Sequence, residues 1–226
     1  FTDLIKFGLP LVPSQIGGFV VHLSDRYFLK VYGGIADAGL YSLGYRFGTL
    51  PSTFIATPFN QIWQPRRFEL YKNKGSEELF GRIFTYYFGL ISFVGLCVAV
   101  LTEEVLKVMA DQKFWSAYAI VPIIIIANII YTLNSHLDFG ILIKKKTKYF
   151  AYIDGTNAIL VVLLNFLLIP SFGIYGAAYA TVIAFIYKTA LVYFFSSRIY
   201  RIFIETYRIA KIFFSAIIIF WLCSYI

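Results

Sequence analysis

Long apolar stretches separated by short polar ones dominate this chain, without the two-residue alternation of half-buried strands. Residues 83–101 form a run of 19 without a charge, and 212–226 form another. A hydrocarbon core needs about 20 mostly apolar residues per crossing helix. The pattern predicts seven membrane segments: 4–30, 38–64, 83–101, 114–143, 149–169, 174–195 and one starting near residue 212. Only Pro170, Ser171, Phe172 and Gly173 separate the fifth from the sixth. Backbone polar groups in lipid must be satisfied internally, and these runs are too long and too uniform for barrel strands. The fold class expected is all-α, a polytopic transmembrane helical bundle.

Composition narrows the function classes. Of 226 residues, 59% are hydrophobic and 14% charged, against about 25% charged in a soluble domain. Soluble enzymes, nucleic-acid-binding proteins and disordered chains are thereby excluded. The net charge of +8 is explained by where the cations lie. Arg66, Arg67, Lys72, Lys74 and Arg82 follow segment two; Lys144, Lys145, Lys146 and Lys148 follow segment four; Arg198, Arg201, Arg208 and Lys211 follow segment six. The alternate connections hold Lys107 and Lys113 alone. This bias places the basic loops, and Lys6, on the cytoplasmic side. Anionic lipid head groups are expected partners of the 144–148 cluster. The connections 199–211 and 102–113 have the pattern of surface-lying amphipathic helices. Cys97 and Cys223 sit in apolar runs, which supports neither a disulfide framework nor a metal site. The start at Phe1 and the short last run read as part of a longer chain, and no cleavable signal peptide is visible.

Polar residues inside these segments carry the candidate chemistry. In segment two Ser42, Arg46, Thr49, Thr53, Thr57, Asn60 and Gln64 follow at spacings of 4, 3, 4, 4, 3 and 4, which keeps them on one helix face. Pro51 and Pro58 fall within that stripe, so the helix should bend. A bent, polar-striped helix suits an aqueous cavity; the plainer alternative is a helix–helix interface held by Thr and Asn. Arg46 is costly in lipid and should face a cavity, pair or snorkel, and its guanidinium suits bidentate phosphate recognition. Segment one aligns Gln15, His22 and Arg26 on one face, with Pro10, Pro13, Gly17 and Gly18 making it bendable. Asp25 is placed to pair with His22 or with Arg46. Arg26 and Lys30 lie near the outer interface, where snorkelling accounts for them equally well. Tyr131, Asn134 and Asp138 share a face of segment four, with His136 directed elsewhere. Asp154 and Asn157 lie within one turn of segment five. Lys188 is expected to snorkel to the cytoplasmic side. Asp25, His22, Asp138 and Asp154 are the ion-coupling candidates, each with a structural role as its alternative. Gly173, Gly176, Ala180 and Ala184 form a small-residue ridge that reads as close packing. No motif of covalent or hydrolytic catalysis is present, and no residue calls for a cofactor.

The opening LIKFGLPLVPS at 4–14, the SDRYF at 24–28, the Gly39-Leu40-Tyr41 start of segment two and LIPSFGIYGAAYAT at 168–181 together resemble the C-terminal half of bacterial polysaccharide flippases. These belong to the multidrug/oligosaccharidyl-lipid/polysaccharide exporter superfamily. The resemblance implies one six-helix lobe (1–196) of a two-lobe exporter, then a cytoplasmic amphipathic linker and the start of an additional helix (197–226). It implies a non-enzymatic flippase in the bacterial inner membrane. Its substrate would be polyprenyl-pyrophosphate-linked oligosaccharide, moved to the outer leaflet by alternating access against a first lobe not in this chain. Arg46 and Arg26, with Thr49, Thr53 and Gln15, would be the substrate-binding residues. A drug or cation antiporter and a peptidoglycan-precursor flippase of the same superfamily are the alternatives, although intramembrane cations favour an anionic substrate. A membrane glycan polymerase or ligase would need a large outer loop, and the longest outer connection is about a dozen residues.

Topology is testable directly. With Cys97 and Cys223 replaced by Ser, Lys146→Cys should react with a membrane-impermeant thiol reagent only from the cytoplasmic side. Ser171→Cys should react only from the other; the reverse labelling would invert the assignment.

Overall fold

The computed structural model describes residues 8, 9 and 11–225; Lys6 and Pro10 lie outside the described residues. Every element is helical, with no strand among the described residues. In chain order these are α1 (Leu11–Tyr32), α2 (Gly34–Gly48), a π-helical turn (Ser52–Ala56), α3 (Thr57–Leu70), α4 (Ser76–Met109), a 3₁₀ segment (Gln112–Ile120), α5 (Val121–Leu137), α6 (Phe139–Ile143), α7 (Lys148–Ser197) and α8 (Thr206–Tyr225). Among the described residues four stretches are long and apolar enough to cross a membrane: Ser76–Met109, Gln112–Ile143, Lys148–Ser197 and Thr206–Cys223. The molecule is thus an all-helical multi-pass membrane protein.

The longest element is a hairpin. Gly173 has φ 53° and ψ −130° inside α7, a conformation that a side chain opposes and glycine accepts. Tyr149 stacks on Phe195 at 4.7 Å, Lys188 meets Asp154 at 2.6 Å, and Gly176 lies against the Leu168 carbonyl. All three pairs centre on residues 171–172, so the two limbs run back along each other from the turn read at Pro170–Gly173. Gly176, Ala177, Ala178, Ala180 and Ala184 are buried along the second limb, where small side chains let helices approach.

α1 packs along this hairpin through Ser14, Gly17, Val21, Asp25 and Leu29, a face with helical spacing. Core clusters then stack along the bundle. Leu29, Tyr41, Ile120, Ile124 and Ala178 pack at one end. Val21, Ala127, Val161 and Phe185 follow, then Phe84, Leu137, Ile141 and Val192. Trp63, Phe80, Phe139 and Ile202 close the end that carries the basic connections.

Three boundaries differ from the sequence reading. Segment two, expected over 38–64, runs from Gly34 to Leu70 and is broken at the π turn; Pro51 has no N–H for the helical ladder, so the backbone re-registers there. No separate helix begins at Thr102, which is buried within the 34-residue α4. At 1.5 Å per residue α4 is about 50 Å long, more than a bilayer core, so its polar end needs no break to leave lipid. The stretch 199–211 is not one surface helix: residues 201–205 are irregular and Ile202 is buried against Trp63 and Phe80. Burial of Ile202 is gained only if the chain leaves helical geometry and lies across the bundle.

Gly173→Val should therefore lower stability by about 1–3 kcal/mol, the scale of a forced backbone conformation. Gly155→Ala, in α7 with open space around its Cβ position, should be neutral or gain up to about 1 kcal/mol. Thermal melts of both variants in detergent check the contrast.

Candidate functional site

Inside the bundle, a chain of polar side chains links α1, α2, α5 and the hairpin. At its lower end Lys188 Nζ sits 2.6 Å from Asp154 Oδ1, and Ser14 donates its hydroxyl to the other carboxylate oxygen. The approach needed for this is provided by Gly17, where a Cβ would stand 2.8 Å from the Asp154 carbonyl oxygen. Lys188 also lies over the Tyr131 ring, 5.1 Å from its centroid. Tyr131 packs on Phe185 at 4.7 Å and edge-on to His22 at 5.9 Å. His22 Nδ1 is 3.2 Å from the Tyr45 hydroxyl.

Further along, Arg26 stands over the Tyr45 ring at 4.9 Å, donates Nε–H to Ser42 Oγ at 3.2 Å and donates to the His22 carbonyl. Asp25 is buried; its Oδ1 accepts the Arg26 backbone N–H at 2.8 Å and lies 3.8 Å from the guanidinium. The buried Tyr41 hydroxyl is 3.2 Å from Thr181 Oγ1. Asn165 donates to Ser24 Oγ at 3.0 Å. Buried charge without a partner is expensive, and here each interior cation has its anion beside it.

A second polar surface faces outward. Arg46, Thr53 and Thr57 are exposed and Thr49 is half-buried. The hydroxyls bond back to their own helix: Thr49 to the Arg46 carbonyl at 2.8 Å, Thr53 to Thr49 at 3.2 Å and Thr57 to Ser52 at 3.2 Å. Each of these carbonyls also accepts a backbone N–H, so the threonine hydroxyls share acceptors within their own helix. The Arg46 guanidinium makes no hydrogen bond or ion pair among the described residues. It lies one turn beyond Ser42, the partner of Arg26, so the two arginines follow one helix face. Gln15 is exposed on α1.

A third group lies at the basic end. Arg67 is 1% exposed and its Nη1 donates to Asp138 Oδ1 at 3.0 Å and to the Ser135 carbonyl at 2.6 Å. Ser135 also donates to Asn60 Oδ1 at 3.0 Å, and Asn134 to Thr189 Oγ1 at 3.2 Å. His136 points the other way, into Tyr87 and Phe59 at 4.2 and 5.4 Å. Among the described residues no three His, Cys, Asp or Glu side chains lie together as a metal ion requires.

The structure brings His22, Asp25, Arg26 and Asp154 into one connected interior network, keeps Arg46, Thr49, Thr53 and Gln15 on outer faces, and sends Asp138 to a separate pair. Several expectations are corrected. Asp25 pairs with neither His22 nor Arg46, because its own neighbour Arg26 takes its carboxylate. Lys188 does not snorkel: a carboxylate on the facing limb is nearer than any interface. Arg67, counted as a loop cation, is buried because α3 continues six residues past Gln64. Asn60 leaves the polar stripe, since the π turn shifts the helical phase and turns it inward with Ala56, Trp63 and Arg67. Arg67 and Lys188 are thus the charged residues whose setting sequence reasoning missed. The i, i+4 and i, i+7 spacings of Arg67 from Trp63 and Asn60 were the signal available for the first.

Among family descriptions, that of a polysaccharide biosynthesis protein matches residues 1–70. This region runs from the first described residues through α3, and so holds both arginines, the polar stripe and Arg67. Comparison with curated proteins and with solved structures returned no match.

Lys188→Met should destabilise the protein by about 3–5 kcal/mol by leaving the Asp154 carboxylate buried and unpaired. Pairing it with Asp154→Asn should recover most of that loss. Additive losses in a double-mutant cycle by thermal melting would show the two to be energetically independent.

Proposed function

We propose that this chain is the C-terminal lobe of a translocase for polyprenyl-pyrophosphate-linked oligosaccharide in bacterial polysaccharide biosynthesis. It would carry that lipid from the cytoplasmic to the outer leaflet of the inner membrane. The observation that carries the reading is the outward face of the bent second segment. Arg46 presents a guanidinium there with no partner among the described residues, with half-buried and exposed threonines on the following turns, in the region similar to polysaccharide biosynthesis proteins.

The chemistry required is recognition and movement, with no bond made or broken. A pyrophosphate is a dianionic group, and a guanidinium offers it two parallel N–H donors. Arg46 would take that role, with Arg26 behind it on the same face, already oriented by Ser42 and Tyr45. Thr49, Thr53 and Gln15 would contact the first sugars or the phosphate oxygens. The interior network of His22, Asp25 and Asp154 would couple an ion gradient to the change of access, or hold α1 rigid while the lobes rock. A first lobe of similar size would close the other wall of the cavity. The exposed cation favours this anionic substrate over a drug or cation, which would want an acidic wall.

The test uses the full-length protein. Cells lacking its gene should accumulate polyprenyl-pyrophosphate oligosaccharide on the cytoplasmic leaflet and lose surface glycan. Complementation with Arg46→Ala should fail, while Arg46→Lys should restore a fraction of export. Normal lipid intermediates and surface glycan in the deletion would refute the translocase reading, and full complementation by Arg46→Ala would remove Arg46 from the site.

A further inference from the structure

α3 is attached to the rest of the molecule in an unusual way. Its backbone lies close to the π turn and is otherwise held by side chains. At its start, Pro51 and Pro58 flank the π-helical Ser52–Ala56. Proline removes ladder hydrogen bonds and π turns replace i→i+4 bonds by weaker i→i+5 ones, so bending is concentrated there. One such bond, from Thr57 N–H to the Ser52 carbonyl, closes the turn. Ser52 Oγ is buried without a partner in the same turn.

At its other end α3 is pinned by charge. Arg67 meets Asp138 at the junction of α5 and α6, and two turns earlier on α3 Asn60 accepts from Ser135. Aromatic contacts support the same docking, Trp63 on Phe80 at 5.2 Å and Phe59 on Tyr87 at 5.0 Å. The ion pair is incompletely satisfied. Only Nη1 of Arg67 is used, and Nε and Nη2 are buried with no acceptor. Those two N–H groups form the edge that normally grips a carboxylate side-on. Leaving them unpaired in the interior costs stability that an open arm would recover in water. The contact therefore holds α3 in place, yet gives back part of its own energy on release.

We propose that Thr57–Leu70 is a swinging arm whose hinge is 51–58 and whose latch is Arg67–Asp138, seconded by Asn60–Ser135. Latched, the arm packs its Asn60, Trp63 and Arg67 face on α4 and on the α5–α6 junction. Unlatched, it pivots at the π turn and carries the basic end of segment two away from the bundle, while the stripe above the hinge stays on α2. The device stands on packing and hydrogen bonding alone, so it holds or fails independently of what the protein transports.

Distances between spin labels test it. In full-length protein lacking Cys97 and Cys223 and held in lipid nanodiscs, labels at Glu69 and Glu78 report the arm against α4. Labels at Lys148 and Arg198 report the hairpin as a fixed reference. Asp138→Asn should add a population longer by about 5 Å or more, one helical turn, at the first pair and none at the second. Arg67→Gln should do the same. A monodisperse variant of either kind that keeps the native distance, even if it melts lower, overturns the latch. With Asn60→Cys and Ser135→Cys added, oxidation should abolish the longer population and reduction should bring it back. Persistence of that population in the cross-linked form would place the motion elsewhere and refute the hinge.

Discussion

Charges buried among apolar helices have to find partners inside the protein, and the arrangement of this bundle follows from how that is done. Asp154 and Lys188 sit on opposite limbs of the α7 hairpin, so their contact sets the limbs against each other at one height. Ser14 then adds α1 to the same carboxylate, and Gly17 lets the α1 backbone come close enough. Tyr131 of α5 covers the ammonium group. One ion pair thereby orients three elements. The apolar clusters on either side of it supply most of the packing but little of the choice of register, since Leu, Ile and Val can slide past one another where charges cannot.

Segment two shows the opposite behaviour. Its charged and hydroxyl groups are not all drawn into the interior. Arg46, Thr53 and Thr57 remain exposed, and the hydroxyls bond to backbone carbonyls of their own helix. A threonine in a membrane helix can bond back to a carbonyl three to five residues earlier, without help from another helix. This leaves the guanidinium of Arg46 available, while Arg26, a turn away across α1, is already committed to Ser42 and Tyr45. The proposed translocation uses that contrast: one arginine held, one offered.

The π turn divides the segment into parts that are held in different ways. Above it, α2 is packed tightly through Tyr41 and Tyr45 against α5 and the hairpin. Below it, α3 depends on a few side chains, and the ion pair among them is only partly satisfied. The proposed translocation would use this contrast, because a recognising group must stay oriented while access to it changes.

Much of this was legible in the residues themselves. Apolar run lengths predicted helices, the Pro170–Gly173 turn marked the hairpin, and the polar stripe read from Ser42 to Gln64 has Arg46, Thr53, Thr57 and Gln64 exposed but not Asn60. Each of these is local: hydrophobic length, a turn-forming glycine and helical periodicity act within a few residues of chain. The rest depended on which faces met. No spacing rule pairs Asp154 with Lys188 across 34 residues or buries Arg67 on Asp138 across 71, because such partners are chosen by the approach of separate helices. The π turn compounds this: one extra residue rotates everything after it, moving Asn60 inward and Arg67 with it. By itself the sequence determined that this is a helical membrane protein with a polar-faced, bendable second segment. Only the tertiary structure decided which charges are spent on holding the bundle together and which stay exposed, since burial and pairing exist only once the helices have packed.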